Sequence, residues 1–448
     1  MEQRTPWHRS GAVMAVAMAV MNVATYGYTM VAARLLGPGS YSAFAAVMGL
    51  LLVLSVLQLG LQTTGARRVA SHPEAVAEVE RRLLRVSLAV SAGLAAACLA
   101  LAPAINALLN LDSLATALLV GLTAFPMTLM GAQAGVLQGE RRWLALAALY
   151  ATAGVSRLVV GTGLLLWRPE EQVAVAAVLV TFFAPVAIGW WALRRSAPGR
   201  VEVTTDDDHS ARSILREIGR NSHALLAFLA LSNADVIVAR DVLDAHDAGL
   251  YAGGLILVKA VLFLPQFVVI VAFPSMSDTD VRRRALTQSL WLVLVLGGLA
   301  VVAAWVLSGL ALVFVGGPQY AEIQDQLWLF AILGTVLSLL QLVVYSVVAR
   351  QARRSVYALW AGLLALVVLS RSADGVTTLL LSVLAVDAGV LALLLLTSLQ
   401  RLGPASRSAS GAGDPPAGGG PGTGSVGGVV PGSPGADGDV ERHGELGR

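Results

Sequence analysis

The strongest constraint on this chain is a succession of apolar stretches, each long enough to cross a membrane. A bilayer-crossing helix needs about 20 mostly apolar residues. Only 13% of the 448 residues are charged, whereas a typical soluble domain has about 25%. The sequence therefore predicts an all-α integral membrane protein.

We predict twelve transmembrane helices from the apolar stretches. They cover residues 11–35, 43–65, 86–109, 113–139, 143–166, 172–193, 221–243, 249–273, 285–315, 327–349, 355–370 and 376–399. The first stretch is too long for a cleaved signal peptide, which predicts a retained span. The ninth is longer than a bilayer requires, so we expect it to tilt or to end near Leu307-Ser308-Gly309.

Arginines are concentrated on alternate connections between the predicted helices. The connections after the even-numbered helices contain Arg67, Arg68, Arg81, Arg82, Arg85, Arg141, Arg142, Arg194, Arg195, Arg200, Arg212, Arg216, Arg220, Arg282, Arg283, Arg284, Arg350, Arg353 and Arg354. The other connections contain only Arg168 and Arg371. Because basic loops stay in the cytoplasm, this bias predicts a multi-pass protein with both termini cytoplasmic.

The predicted helices form two sets of six. A cytoplasmic N-terminus (1–10) precedes an N-terminal lobe (11–193), and the longest internal connection (194–220) leads to a C-terminal lobe (221–400). The segment 401–448 is rich in Gly and Pro and has few large apolar residues. Such a composition cannot form a core, so we predict a disordered cytoplasmic tail.

Two pairs of similar segments indicate an internal repeat. The stretch from Val31 to Tyr41 resembles that from Val238 to Tyr251, and Val136–Arg142 resembles Val348–Arg354. The offsets are about 206 and 212 residues, which agree on one repeat of six spans. Six crossings return the chain to its starting side, so the repeat predicts two parallel lobes with a substrate site between them.

The motif ARLLGPGSYSAF, together with LSNADVIVARDVL and AGLYAGGLILVKAVLFLPQFVVIVAFPSMS, resembles the oligosaccharide flippases. These are the polysaccharide biosynthesis transporters of the multidrug/oligosaccharidyl-lipid/polysaccharide (MOP) exporter superfamily. The resemblance covers about residues 10–400. It implies a MATE-like architecture and export of a lipid-linked precursor of lipopolysaccharide or capsule across the plasma (inner) membrane. Export would be driven by an ion gradient or the membrane potential. Ser42 stands where that family often has Gly, and we expect this difference to affect only the turn.

Six of the ionisable residues within the predicted spans are the candidates considered, because charge there is costly and usually faces a cavity or the protein interior. They are Arg34, Arg157, Asp235, Arg240, Lys259 and Asp387. Helical rise places Asp235 and Lys259 about 12–15 Å below the outer edge. We therefore expect these two to pair and Arg157 to lie at a similar depth. Asp387, in the last span, is expected to have a packing or peripheral role.

The basic residues among these suggest an anion site. Arginine binds phosphate oxygens well, and a lipid-linked glycan attached through a diphosphate is anionic. We therefore expect the side chains of Arg34, Arg157, Asn233, Asp235, Arg240 and Lys259 to line a central cavity. Asp235 would hold Lys259 in place or exchange it for a coupling proton or cation.

Structural explanations for the same residues stay open. Arg34 and Arg240 could extend to the outer interface, and Asp235–Lys259 could serve only to fix the hairpin. Four further polar side chains could line the cavity or make interhelical contacts. These are Asn22, Tyr26, Gln58 and Gln62.

Two other functions compete with the flippase. A cation-coupled multidrug antiporter of the same superfamily would favour an acidic cavity, whereas this one is net basic. A membrane-embedded polymerase or ligase would need a sizeable outer loop, but the predicted outer connections are about a dozen residues or fewer. The acidic run Asp206-Asp207-Asp208-His209 fits a solvated connection. We expect a non-enzyme with no cofactor, no metal site and no nucleic-acid partner.

Overall fold

The computed structural model describes residues 7–72, 76–194, 211–263, 279–349 and 353–400. The described residues form helices joined by short connections and contain no strand. Three expectations fall outside them: most of the inter-lobe connection, the inner part of the eighth predicted span, and the tail from residue 401.

The N-terminal half consists of residues up to Arg194 and contains seven α-helices. They are α1 (Trp7–Ser71), α2 (Val76–Ala100), α3 (Ala102–Leu108), α4 (Leu114–Gly139), α5 (Trp143–Ser156), α6 (Thr162–Trp167) and α7 (Glu171–Arg194). A π-helical turn, Arg157–Gly161, joins α5 to α6 without interrupting the span.

The described residues of the C-terminal half, from Ala211 onward, contain another seven α-helices. They are α8 (Ala211–Val242), α9 (Ala245–Val261), α10 (Thr279–Val306), α11 (Ser308–Val315), α12 (Leu327–Ala349), α13 (Arg353–Leu369) and α14 (Val376–Gln400). The 3₁₀ segments Pro318–Gln326 and Ser370–Ser372 lie between α11 and α12 and after α13.

The first two predicted spans are joined by a single non-helical residue rather than by a loop. Gly37 has φ 73° and ψ 168°, a conformation that glycine adopts without steric cost. Pro38 follows, and its preset φ suits the start of a helix. We call the parts of α1 before and after Gly37 its first and second arms. Gly154 packs against Met21 of the first arm, while Tyr150, one turn earlier on α5, bonds Gln62 of the second arm. The two arms of α1 therefore fold back into a hairpin.

The third and ninth predicted spans are each broken near the same end. Leu101 separates α2 from α3, and Leu307 separates α10 from α11. The expected interruption near Leu307 is confirmed. Both breaks are followed by a short helix, and they lie about 206 residues apart, as the internal repeat predicts. Pro103 in the first turn of α3 contributes to the first break, because its ring favours the start of a helix over its interior.

Nine helical stretches in the described part of the chain are apolar and long enough to cross a membrane, counting the 61-residue stretch Gly11–Ser71 once. Val356–Ser372 is a shorter apolar helix. Every predicted span overlaps a described helix, and the all-α membrane fold is confirmed. The count of twelve stays a prediction.

Glycines allow α4 to pack closely on the second arm of α1. A Cβ built on Gly135 would lie 2.9 Å from the Cα of Gln62, and one on Gly139 would lie 2.6 Å from the Cβ of Val69. Small residues at such contacts let membrane helices approach at the backbone. This packing fixes the second arm of α1 against the rest of the N-terminal half.

Candidate functional site

Lys259 of α9 lies in a buried polar cluster in the C-terminal half. Its ammonium donates to Asn233 Oδ1 at 2.7 Å and to the Ser232 carbonyl at 3.4 Å. The Asn233 amide nitrogen donates to the Leu229 carbonyl at 2.8 Å. This orientation of the amide is chemically required, because an ammonium has no acceptor and must face the amide oxygen.

Asp235, on the same helix as Asn233, bonds a tyrosine rather than the lysine. Its Oδ2 accepts from the Tyr251 hydroxyl at 3.1 Å and its Oδ1 from the Val236 amide at 2.8 Å. Among the described residues, no ion pair within 4.0 Å joins Asp235 to Lys259. The expected direct pair is therefore wrong, although the two charges remain in electrostatic range. Equal depth placed the residues at one level but did not fix which way each helix is rotated.

Asp387 of α14 belongs to this cluster, so the peripheral alternative of its expected packing or peripheral role is wrong. The residue is 1% exposed, and it interacts electrostatically with Asp235 and Tyr251. Its Oδ1 is buried and has no hydrogen-bond partner among the described residues. We call these residues the acidic–lysine cluster: Ser232, Asn233, Asp235, Tyr251, Lys259 and Asp387. The cluster has two carboxyl groups and one ammonium.

Arg157 lies in the N-terminal half, at the first residue of the π-helical turn. A π-helical turn adds one residue to a helical turn and is frequent at functional sites. The guanidinium carbon lies 4.9 Å from the centre of the Phe182 ring of α7. Tyr28 of α1 is within electrostatic range. Arg157 is therefore held between α1, α5 and α7.

The guanidinium of Arg157 has no polar partner in the described part of the chain. Its Nε is buried without a hydrogen bond, and no carboxylate forms an ion pair with it. An arginine has five N–H donors and retains its charge in proteins. Burying such a group without partners is costly, so this site has a positive charge and unused donors.

Arg240, near the C-terminus of α8, has a different environment. Its Nε donates to the Leu109 carbonyl at 2.7 Å, and its two terminal nitrogens donate to the Asn110 carbonyl and to Ser42 Oγ. All three acceptors belong to the N-terminal half. Ser42 therefore affects more than its own turn, since its hydroxyl receives a bond from the other half of the chain.

Arg34, the repeat counterpart of Arg240, is exposed, and its side chain donates one hydrogen bond to the other half of the chain. Its Nη2 donates to the Val313 carbonyl of α11 at 3.0 Å. The amide of Gln319 in turn donates to the Ala33 and Arg34 carbonyls at 2.9 and 3.1 Å. We call the side of the bundle that contains these contacts the Arg240 end.

The four basic residues expected to share one cavity occupy three places. Arg157 lies within the N-terminal half, Lys259 lies in the acidic–lysine cluster, and Arg34 and Arg240 bridge the two halves at the Arg240 end. The structure brings together Asn233, Asp235 and Lys259 of the expected set. The sequence places Asp387 within a span, but it does not show that Asp387 lies near residues that are distant along the chain.

One predicted cavity residue makes an interhelical contact instead. Gln62 donates to the Tyr150 hydroxyl at 2.7 Å and to Gln138 Oε1 at 3.1 Å. These bonds connect the second arm of α1 to α4 and α5. The interhelical alternative is therefore the one that the structure supports for Gln62.

Three solved transporter structures share this fold over most of their length. One is described as a MOP superfamily transporter from Pyrococcus furiosus Vc1 whose binding pocket has reverse polarity, suggesting a different function. It matches with a TM-score of 0.63 and 15% identity, covering 88% of this chain and 95% of that chain. An inward-facing multidrug resistance MATE family transporter of the MOP superfamily matches with a TM-score of 0.60 and 13% identity. The match covers 88% of this chain and 98% of that chain. An outward-facing transporter of the same family matches with a TM-score of 0.59 and 14% identity, covering 89% of this chain and 96% of that chain.

Sequence comparison identifies the family. A search among curated proteins finds no match. The family model described as polysaccharide biosynthesis protein matches residues 8–280, which is more than half of the chain. The all-helical membrane fold agrees with this match, and the chain belongs to the polysaccharide biosynthesis protein family.

Proposed function

We propose that this transporter is a flippase that moves a lipid-linked oligosaccharide or polysaccharide precursor across the plasma membrane. The substrate would be an anionic glycan attached to its lipid through a diphosphate. Transport would occur by alternating access between two six-helix lobes, with both termini in the cytoplasm. The family match supports a role in polysaccharide biosynthesis.

The observation that carries the proposal is the unpartnered guanidinium of Arg157. Nothing among the described residues neutralises its charge or uses its donors. A phosphate group would neutralise the charge and use the donors, because it is anionic and accepts two parallel hydrogen bonds from arginine. The Phe182 ring lies 4.9 Å from the guanidinium carbon, and this cation–π contact uses none of the N–H donors.

The acidic–lysine cluster suits a coupling proton or cation. Two carboxyl groups and one ammonium leave one acidic group of the cluster without a counter-charge among the described residues. Charges buried without a partner are expensive, so the second carboxyl favours a bound proton or a small cation. The unpartnered Asp387 Oδ1 is an available acceptor for either one. Binding there would change how firmly Lys259 is held by its neighbours on α8.

The charge of the Arg157 site separates this proposal from a multidrug antiporter. A cationic drug would be repelled by a guanidinium that has no acidic partner. A pocket of reverse polarity is described for one structurally similar transporter of the superfamily. This precedent is consistent with one shared fold serving substrates of opposite charge.

The genetic test compares two phenotypes in a strain that lacks this gene. We expect the strain to lose surface polysaccharide and to keep normal tolerance of cationic drugs. Expression of the full chain should restore the polysaccharide. A strain that retains its polysaccharide but becomes drug-sensitive would instead support the antiporter.

A further inference from the structure

The contacts at the Arg240 end have a reciprocal arrangement. Arg240 of the C-terminal half binds carbonyls just past the end of α3, a short helix of the N-terminal half. Arg34 of the N-terminal half binds a carbonyl in the last turn of α11, a short helix of the C-terminal half. The two arginines lie about 206 residues apart, the same offset that separates the two short helices. Each half therefore supplies an arginine that caps the corresponding helix of the other.

The acceptors explain why arginine suits both positions. The last carbonyls of a helix have no partner within the helix, and the helix dipole places partial negative charge there. Leu109 is the C-cap residue of α3, and Asn110 follows with φ 48°. Three N–H groups of one planar guanidinium reach Leu109, Asn110 and Ser42 together, which a single lysine ammonium on a flexible stem does less well.

Backbone packing closes the same end. A Cβ on Gly249 of α9 would overlap the Pro38 carbonyl, and the Tyr320 hydroxyl donates to the Ala33 carbonyl at 3.1 Å. The Tyr41 and Tyr320 rings meet edge to face with centroids 6.5 Å apart. The arginine bonds therefore lie in a region where the two halves already touch.

We propose that Arg240 and Arg34 form a reciprocal latch that keeps the Arg240 end closed and must release before a substrate can pass there. Arg240 is the dominant member, because it is 7% exposed and makes three bonds, whereas Arg34 is exposed and makes one. Glu171 and Asp112 of the N-terminal half lie in electrostatic range of Arg240 and reinforce its attraction to that half. This assignment replaces the cavity role expected for both arginines.

The latch is tested by a distance measurement that requires no substrate, so its failure is distinguishable from failure of the flippase proposal. Spin labels are attached at Glu170→Cys and Asp325→Cys in a full-length Cys98→Ser background, reconstituted in lipid nanodiscs. Both positions are exposed, and they lie on opposite halves at the Arg240 end. Pulsed electron resonance then gives the distribution of distances between the labels.

In the labelled parent we expect most molecules to show a short distance between the labels. After Arg240→Gln, the fraction of molecules with a long distance should be several-fold larger than in the parent. Arg34→Gln should produce a smaller increase, and Arg240→Lys an intermediate one. Arg168→Gln removes an exposed arginine that stacks on Trp167 of its own half, and it should leave the distribution unchanged. An unchanged distribution in folded Arg240→Gln would overturn the latch.

A variant that keeps the charge protects the test against misfolding. Ser42→Ala removes one acceptor of Arg240 and leaves both arginines in place. If Arg240→Gln does not fold, Ser42→Ala should still enlarge the long-distance population. Parent-like distributions in both Ser42→Ala and Arg34→Gln would then reject the proposal.

Discussion

Replacement of Arg157 by glutamine is expected to reduce glycan export at least about tenfold while the protein remains folded in the membrane. A hydrogen bond to a charged group contributes about 1.5–3 kcal/mol, which corresponds to about a ten- to hundredfold change in binding. Arg157→Lys should retain part of the activity, because it keeps the charge but loses the planar pair of donors. Surface polysaccharide per cell, normalised to the amount of transporter in the membrane, measures the effect.

The matched control for this variant is Arg168→Gln. Arg168 is exposed at the end of the same span and stacks on Trp167, so its replacement should leave export unchanged. Thermal unfolding of Arg157→Gln should be little easier than that of the wild type, because the guanidinium has no hydrogen-bond or ion-pair partner among the described residues and loses only its contact with the Phe182 ring. Wild-type export by the Arg157→Ala, Lys259→Ala double variant would contradict both the anion site at Arg157 and a role for Lys259 in transport.

Replacement of Asp387 by asparagine is expected to abolish the response of transport to an imposed ion gradient. The change removes the second carboxyl of the acidic–lysine cluster and leaves a neutral side chain of similar shape beside Asp235 and Tyr251. Downhill exchange of substrate across the membrane should continue. The measurement is transport into proteoliposomes under proton and sodium gradients of either direction.

Asp374→Asn is the control for the coupling prediction. Asp374 is an exposed acid two residues before the same helix begins, so its loss should leave the gradient response intact. A normal gradient response in Asp387→Asn would show that the cluster has a structural role only.

Properties that depend on many residues were predictable from the sequence. Hydropathy located the first residues of α12 and α14, Leu327 and Val376, because a span is defined by some twenty side chains together. The interruption near Leu307 was also foreseen, since α10 and α11 together exceed the length that a bilayer requires. The hairpin at Gly37 differs because one residue with positive φ replaces the expected connection.

Side-chain partners were less predictable, because they depend on how each helix is rotated about its axis. Asp235 and Lys259 share a level, yet Tyr251 and Asn233 are their closer partners. The bonds of Arg240 depend on the broken helix that ends at Leu108, whose free carbonyls have no signature in composition. Asp387 shows the same limitation, since its neighbours are distant in the chain.

The central claim is that the transported molecule is an anionic lipid-linked glycan, and substrate preference tests it most directly. The full chain is reconstituted in proteoliposomes and compared for movement of a fluorescent polyprenyl-diphosphate oligosaccharide and of a cationic dye. We expect movement of the diphosphate-linked glycan, its loss in Arg157→Gln, and no transport of the dye. Transport of the dye with no movement of the glycan would contradict the account.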